Sequence, residues 1–174
     1  MRGIEAILQS KSKPKEKVTL LSEEIKKDKA FVREIIAYFP SASSGDQGHL
    51  IESLEYASQD HPELIAPHLD FVLKHLEDKA SRVKWECARI IVNLSKKFSD
   101  QTQRAVPILL KNTHDKGTVV RWSTAFALGE IAKHHPSAAE TLLPQMKALV
   151  EEEVNNGVKN VYLKALKAIE RKEK

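Results

Sequence analysis

Apolar residues along this chain return mostly at intervals of three and four positions, the spacing of one face of an α-helix. One such stripe starts at Val83 and ends at Leu94, with polar residues between its members. Glycine is scarce, with 6 residues, which favours helices over strands. We therefore predict an all-α chain with helices over residues 2–10, 15–27, 28–39, 46–59, 62–77, 79–97, 100–114, 117–135, 137–153 and 156–171.

Polar stretches mark where these helices begin and break. The segment SASSGDQG at 41–48 is rich in turn-forming residues and predicts a mobile loop. The segments DHPE at 60–63 and SAAE at 137–140 have the spacing of capping boxes, in which a side chain satisfies free backbone N–H groups. Each is expected to start the helix that follows.

The sequence also repeats itself. Residues 78–88 read DKASRVKWECA and residues 115–125 read DKGTVVRWSTA, and matched letters are 37 positions apart because 115 − 78 = 37. Pro107 and Pro144 have the same spacing, and each is predicted to open an apolar helix. A period of this length with two helices per unit is typical of an α-solenoid. We predict a single domain over 1–174, with clear repeats at 61–98, 99–135 and 136–171 and degenerate repeats at 1–27 and 28–60.

The repeated letters resemble a known motif. PILL at 107–110, VR at 120–121 and ALG at 127–129 resemble the HEAT repeat of the armadillo/HEAT-like family. The resemblance is clear over 61–135 and good over 136–171. It implies a right-handed superhelix of about five antiparallel helix pairs, with the second helix of each pair on the concave side.

The same resemblance implies a structural role for the repeated charges. In HEAT repeats an Asp and an Arg form a ladder between successive units, which places Asp78 and Asp115 against Lys84 and Arg121. Lys84 departs from the usual Arg, and an ammonium group cannot make the planar two-pronged contact of a guanidinium. These charges are therefore expected to hold the fold and not to form a site.

Charge, cysteine content and hydropathy exclude few classes of function for this protein. The net charge of +4 and pI near 9.1 permit an anionic partner such as nucleic acid without requiring one. The single cysteine, Cys87, cannot form an internal disulfide, which is compatible with a reducing compartment. Apolar runs fall short of the roughly 18 residues that span a bilayer. We expect a soluble cytoplasmic protein without a membrane partner.

Catalytic and metal-binding patterns are absent from the sequence. It contains no Gly-rich phosphate loop, no G-x-S-x-G, no C-x-x-C and no H-E-x-x-H. His68 and His75 are too far apart on one helix to share a metal ion without further ligands. Cys87 falls on the apolar stripe and is expected to be an inert, packed thiol. We predict no catalytic residue, no metal and no cofactor.

The two tryptophans are the residues that the repeat leaves unexplained. Trp85 and Trp122 occupy equivalent positions off the apolar stripe, and Arg89 and Phe126 follow four residues later on the same helix face. We expect both tryptophans to be exposed in the concave groove, because exposed aromatic side chains are costly without a partner. The alternative is that large residues at this position pack between neighbouring helices.

Equivalent positions in the flanking repeats carry opposite charges. Glu52 and Glu55 lie in the repeat before the tryptophans. Lys133 lies behind the tryptophans, and Lys164 lies in the repeat that follows them. The groove should be acidic at its amino end, aromatic in the middle and basic at its carboxyl end. The predicted partner-binding residues are Trp85, Arg89, Trp122, Phe126, Lys133 and Lys164.

These features favour a non-catalytic scaffold that binds a protein or peptide in its concave groove. The alternative is nucleic-acid binding, because HEAT-like DNA glycosylases that excise alkylated purines resemble this architecture more distantly and grip DNA with aromatic and basic side chains. Their catalytic Asp has no counterpart on the concave stripe here, which offers only Glu52 or Glu130. A third possible class of function is that of the HEAT-like bilin lyases, but no residue of the sequence supports it. Fold alone does not decide among them.

Overall fold

The structure, a computed structural model, describes residues 3–173. Met1, Arg2 and Lys174 lie outside this range, and so do the parts of the predicted first helix and of the predicted 1–174 domain that include them. The described chain is helical throughout and contains no strand, which confirms the all-α prediction.

The helices follow one another through short connections. They are α1 (Ile4–Gln9), α2 (Pro14–Lys27), α3 (Phe31–Tyr38), α4 (Ser44–Asp60), α5 (Pro62–Ile65), α6 (Leu69–His75), α7 (Ser81–Ser95), α8 (Ser99–Thr102), α9 (Val106–Asn112), α10 (Thr118–His134), α11 (Pro136–Glu152) and α12 (Asn156–Glu173). Short 3-10 turns at Phe39–Ser41, Ala66–His68 and Gln103–Ala105 follow α3, α5 and α8.

Five of these helices form a continuous row, which we call the second-helix row. In it α2 packs on α4, α4 on α7, α7 on α10 and α10 on α12. The remaining helices pack against this row as first helices, with α6 on α7, α9 on α10 and α11 on α12. The arrangement is a stack of about five helix pairs, as the repeat predicts.

The apolar stripe is the core of this stack. Val83, Cys87 and Leu94 on α7 are buried, and so are Leu128 and Ile131 on α10. The buried apolar side chains join into one continuous cluster that extends from α1 to α12. Burial also raises the pKa of the Cys87 thiol, which fits an inert packed side chain.

Two predicted helices are broken at prolines. The helices over 62–77 and 100–114 are each divided by a 3-10 turn, at Ala66–His68 and Gln103–Ala105. Proline lacks the N–H that an α-helix needs and restricts the residue before it, so Pro67 and Pro107 explain these divisions. Pro144 behaves differently, because it lies inside α11 and opens no helix.

The predicted loop at 41–48 is wrong in its second half. Ser43 is the N-cap of α4, and its Oγ accepts a hydrogen bond from the Asp46 N–H at 3.2 Å. The two glycines of this segment are therefore helical. A Cβ on Gly48 would lie 2.6 Å from Nη1 of Arg82, so this glycine gives the Arg82 side chain room against α4.

Both predicted capping boxes are wrong. Asp60 is the last residue of α4, and His61 is the N-cap of α5 without a side-chain cap bond. At α11 the N-cap is His135, whose Nδ1 accepts from the Ala138 N–H at 3.1 Å. The Nε2 of His135 lies 3.1 Å from Oδ1 of Asp100, so the imidazole ties α11 to α8.

The charge ladder connects the three clear repeats. Lys84 Nζ lies 2.7 Å from Oδ2 of Asp115. Arg121 makes the two-pronged contact expected of a guanidinium, with Nε and Nη2 at 3.1 Å and 3.3 Å from the carboxylate oxygens of Glu153. Asp78 is paired with neither cation and lies 3.1 Å from Nδ1 of His75 instead. The ladder is therefore structural. In its second contact, the carboxylate that pairs with Arg121 belongs to Glu153 and not to an Asp.

Candidate partner-binding groove

An aromatic pair lies on the surface of the second-helix row. Trp122 and Phe126 are one turn apart on α10, with ring centroids 5.4 Å apart in an edge-to-face arrangement. The Trp122 side chain is 37% exposed, and Phe126 is half-buried beside it. Trp122 is one of four large apolar residues that are exposed in the described part of the chain.

A cleft of about 390 Å³ opens next to this pair, between α10 and α12. A Cβ on Gly129 would lie 2.7 Å from Cβ of Ala165, so Gly129 allows the close approach of the two helices at the cleft floor. We call this feature the α10–α12 cleft. Its lining residues are Trp122, Phe126, Gly129, Glu130 and Lys133 on α10 and Gly157, Asn160, Val161, Lys164 and Ala165 on α12.

A smaller cavity of about 90 Å³ lies on the other side of the aromatic pair, between α7 and α10. Arg89, Val92 and Asn93 line it together with the two rings. The Arg89 side chain is half-exposed, and its Nε lies 3.2 Å from Oε1 of Glu55 on α4. The aromatic pair therefore stands between two hollows, and one of them carries a guanidinium.

The charged residues of the α10–α12 cleft lie beyond the aromatic pair. Glu130 is paired with Lys133 at 2.8 Å and with His134 at 3.4 Å. Lys164 is exposed on the α12 side of the cleft. Lys172 adds a third ammonium nearby, because its Nζ donates to the Lys133 carbonyl at 3.2 Å. The cleft is apolar at one end and predominantly basic at the other.

Trp85 has a different environment from Trp122. Its side chain is half-buried, and its indole Nε1 donates to Oε1 of Glu86 at 3.0 Å. It lines neither the α10–α12 cleft nor the smaller cavity beside it. The two tryptophans are therefore not equally exposed, which differs from the sequence expectation. Of the other five predicted residues, Trp122 and Phe126 form the aromatic pair. Lys133 and Lys164 line the α10–α12 cleft beside it, and Arg89 lines the smaller cavity.

Carboxylates gather where α4 packs on α7. Glu52 is paired with Arg82, and Glu55 is paired with Arg89 and also accepts from Gln59 Nε2 at 2.7 Å. Glu86 is buried beside them and has no ion pair within the described chain. Burial, followed by the charges of Glu55 and Glu52, raises the pKa of Glu86 to about 7.

Sequence reasoning placed Glu52 and Glu55 at the acidic end of the groove but missed Glu86. The signal was present, because Glu86 follows Val83 by three residues and precedes Ile90 by four. A carboxylate at that spacing lies at the edge of the apolar stripe, where burial perturbs its ionisation.

The structure adds two observations on ligand and membrane chemistry. In residues 3–173 no three His, Cys, Asp or Glu side chains are grouped so that they could hold a metal ion. Among the described helices, none combines the length and the apolarity that are needed to cross a bilayer.

Comparison with solved structures identifies the fold. A designed armadillo repeat protein in complex with the peptide (KR)4 superposes with a TM-score of 0.69 and 17% identity, over 95% of this chain and 80% of that one. An engineered protein gives a TM-score of 0.75 and 20% identity, over 97% and 78% of the two chains. A computationally designed armadillo repeat protein for modular peptide recognition gives 0.71 and 18%, over 95% and 80%.

Comparison of the sequence with family models gives no match, and neither does comparison with curated protein sequences. The assignment therefore rests on structure. The fold is that of an armadillo/HEAT-like α-solenoid, as the repeat and its spacing predict.

Proposed function

We propose that this protein is a non-catalytic scaffold that binds a protein or peptide partner along the α10–α12 cleft and the adjoining Arg89. The observation that carries the proposal is the partly exposed Trp122–Phe126 pair, with a hollow on either side. Aromatic side chains in a pocket, with Arg close by and charged residues at the rim, have the composition of binding hot spots.

Two further observations support this class of function. Large aromatic surface exposed to water is unfavourable for an isolated chain and is removed when a partner covers it. One solved protein with the same fold is in complex with a peptide, so the architecture can present a peptide-binding surface.

Nucleic-acid binding is the second candidate, and the basic end of the cleft favours it. Lys133, Lys164 and Lys172 could contact phosphates. The hypothesis of a DNA glycosylase activity is weaker, because the cleft carboxylate Glu130 is already paired with Lys133 and His134. The oxygens of this carboxylate therefore already have partners within the chain.

Affinity capture with matched variants tests the proposal. The wild-type chain, Trp122→Ala and Leu163→Ala are used as baits on nuclease-treated lysate from the source cell. Leu163 is a suitable control because it is 48% exposed on α12 but does not line the cleft. We expect the same protein to be recovered with the wild type and Leu163→Ala and lost with Trp122→Ala. Equal recovery with all three baits would contradict the proposal.

The same capture experiment without nuclease tests the second candidate function, nucleic-acid binding. Binding through three phosphate contacts, one for each of Lys133, Lys164 and Lys172, should weaken with a slope of about −3 in log K against log salt. Nucleic acid that is retained by the wild type and follows this slope would favour the alternative.

A further inference from the structure

We infer that the α10–α12 cleft takes a partner segment in which an apolar side chain is followed or preceded, within a few residues, by a carboxylate. The inference rests on the proposed function and names the chemistry of its partner. It is carried by the polarity of the cleft along its length.

The apolar end of the cleft is made by three side chains. Trp122 and Phe126 contribute their rings from α10, and Val161 contributes a half-buried aliphatic side chain from α12. Among the described residues that line this end of the cleft, the polar side chain is the exposed Asn160 amide, which carries no charge. An apolar side chain is therefore the group that this end accommodates at the lowest desolvation cost.

The other end of the cleft selects for negative charge. Its lining contains the two ammonium groups of Lys133 and Lys164 against the one carboxylate of Glu130. Glu130 pairs with Lys133 and His134 and not with Lys164, so the ammonium of Lys164 is the cation that a partner carboxylate can neutralise. Lys172 strengthens the positive potential from the direction of Lys133. A basic partner residue would be repelled there.

The distance between the two ends limits the partner sequence. Lys133 lies seven residues after Phe126 on α10, which corresponds to about 10 Å along the helix axis. Lys164 precedes Ala165, which packs against Gly129 three residues after Phe126, so Lys164 is closer to the rings than Lys133 is. An extended peptide advances by about 3.3 Å per residue. The apolar and acidic residues should therefore be one to three positions apart.

Nuclear magnetic resonance provides a direct test, because the chain has two tryptophans and only Trp122 lines the cleft. The probes are acetyl-Phe-Ala-Glu-amide, acetyl-Phe-Ala-Gln-amide and acetyl-Phe-Ala-Lys-amide, which differ only in the charge of the last residue. We expect the Glu peptide to shift the Trp122 indole N–H resonance and leave that of Trp85 in place. Its affinity should exceed that of the Gln peptide by about two- to fivefold, as for one exposed ion pair.

Two variants of equal net charge provide the control. Lys164→Gln should remove the preference for the Glu peptide. Lys167→Gln should retain it, because Lys167 is exposed on the same helix but does not line the cleft. Loss of the preference in both variants would show that overall charge, and not Lys164, is responsible, which would overturn the inference.

The remaining outcomes separate this inference from the proposed function. If Trp122 responds equally to the three peptides, or most strongly to the Lys peptide, the cleft still binds peptides and the charge preference is wrong. If no peptide shifts Trp122, both statements are wrong. A shift that grows with protein concentration alone would assign the cleft to a second copy of the chain. A stronger response to a thymidine oligonucleotide than to the Glu peptide would assign it to nucleic acid.

Discussion

Helices α7 and α10 begin with nearly the same letters and present different surfaces. Both bury the same apolar stripe, and both enter the charge ladder through Lys84 or Arg121. On α7, however, the indole of Trp85 is half-buried and donates to Glu86, whereas on α10 the ring of Trp122 is exposed beside Phe126. The repeat therefore specifies the packing of the helix but not the chemistry of its outer face.

The difference follows from the residues around each tryptophan. Glu86 is replaced by Ser123 in the next repeat, so the equivalent carboxylate is missing beside Trp122. Arg89 is replaced by Phe126, so an ion pair with α4 gives way to an aromatic contact within α10. Two substitutions at equivalent positions thus convert a polar, ion-paired surface into an apolar hollow.

The prediction with the largest expected effect concerns the buried apolar stripe that α7 and α10 share. Ile91 and Leu128 are equivalent positions, 37 residues apart, and both are 0% exposed. Ile91→Ala and Leu128→Ala should each lower the free energy of unfolding by about 2–5 kcal/mol, because each leaves a cavity in a packed core. Urea unfolding followed by circular dichroism measures this loss.

The exposed Leu163 serves as the control for this pair. Leu163→Ala removes the same atoms as Leu128→Ala from a site that is 48% exposed, and its cost should be below about 1 kcal/mol. Equal losses at Leu128 and Leu163 would mean that the stripe is not the core of the stack.

The second prediction concerns Glu86, which only α7 has. The folded chain keeps Glu86 protonated up to about pH 7, whereas an ordinary Glu loses its proton near 4.5. Between these values the folded state binds more protons than the unfolded state, so stability should fall as pH rises through this window. Glu86→Gln should reduce the fall and leave the variant more stable than the wild type at pH 8, by up to about 3 kcal/mol.

Unfolding free energies at several pH values between about 5 and 8 measure this effect. The groups that face Glu86 are Trp85 on its own helix, Glu52 and Glu55 on α4, and Arg89. Gln retains an acceptor for the Trp85 indole, so the comparison isolates the charge. Parallel pH profiles for the wild type and Glu86→Gln would contradict the prediction.

The third prediction compares the two steps of the charge ladder. Arg121→Lys should cost about 1–2 kcal/mol, because Lys cannot replace the two contacts with Glu153 or the further donation to the Asp115 carbonyl at 2.9 Å. Thermal unfolding of this variant provides the measurement. The reverse change, Lys84→Arg, is the matched control and should be nearly neutral, because Asp115 can accept from either cation.

The pKa values of the ladder carboxylates support its structural role. Burial alone would raise the pKa of Asp115, but hydrogen bonds from Lys84 and from the Gly117 N–H lower it overall. Glu153 is affected in the same way by the Asn155 N–H and Arg121. Both carboxylates therefore stay ionised in the folded chain at neutral pH. Their contribution to stability is present above their ordinary pKa values, 3.8 for Asp115 and 4.5 for Glu153, and is lost as pH falls below them.

The fold could be predicted from the sequence because its determinants are periodic. The 37-residue spacing and the apolar stripe from Val83 to Leu94 required only counting, and the structure confirms the helices that they predict. The aromatic pair and the basic end of the cleft were also visible, because equivalent repeat positions lie on one surface. These features depend on local spacing and not on distant neighbours.

The features that the sequence did not reveal depend on contacts between repeats. His135 caps α11 and contacts Asp100 on α8, so its role is set by two helices that the local pattern cannot orient. The room that Gly48 leaves for the Arg82 side chain likewise depends on how α7 packs on α4. The unequal exposure of Trp85 and Trp122 has a different origin, because the residues that replace Glu86 and Arg89 in the next repeat are on the same helix as Trp122.

The smallest expected effect is spectroscopic and tests the comparison itself. Trp85→Phe leaves Trp122 as the only tryptophan, and Trp122→Phe leaves Trp85, and both changes keep an aromatic ring at the position. Acrylamide should quench the emission of the Trp85→Phe variant more strongly, because Trp122 is exposed while Trp85 is half-buried.

Emission maxima should follow the same order, with Trp122 emitting at the longer wavelength because water surrounds more of its ring. Neither change should shift the unfolding midpoint by more than a small amount, although Trp85→Phe also removes the indole donor to Glu86 and should be the costlier of the two. Equal quenching of the two variants would mean that the tryptophans share one environment. The repeated letters would then specify the surface as well as the packing, and Glu86 and Phe126 would not account for a difference between the two helices.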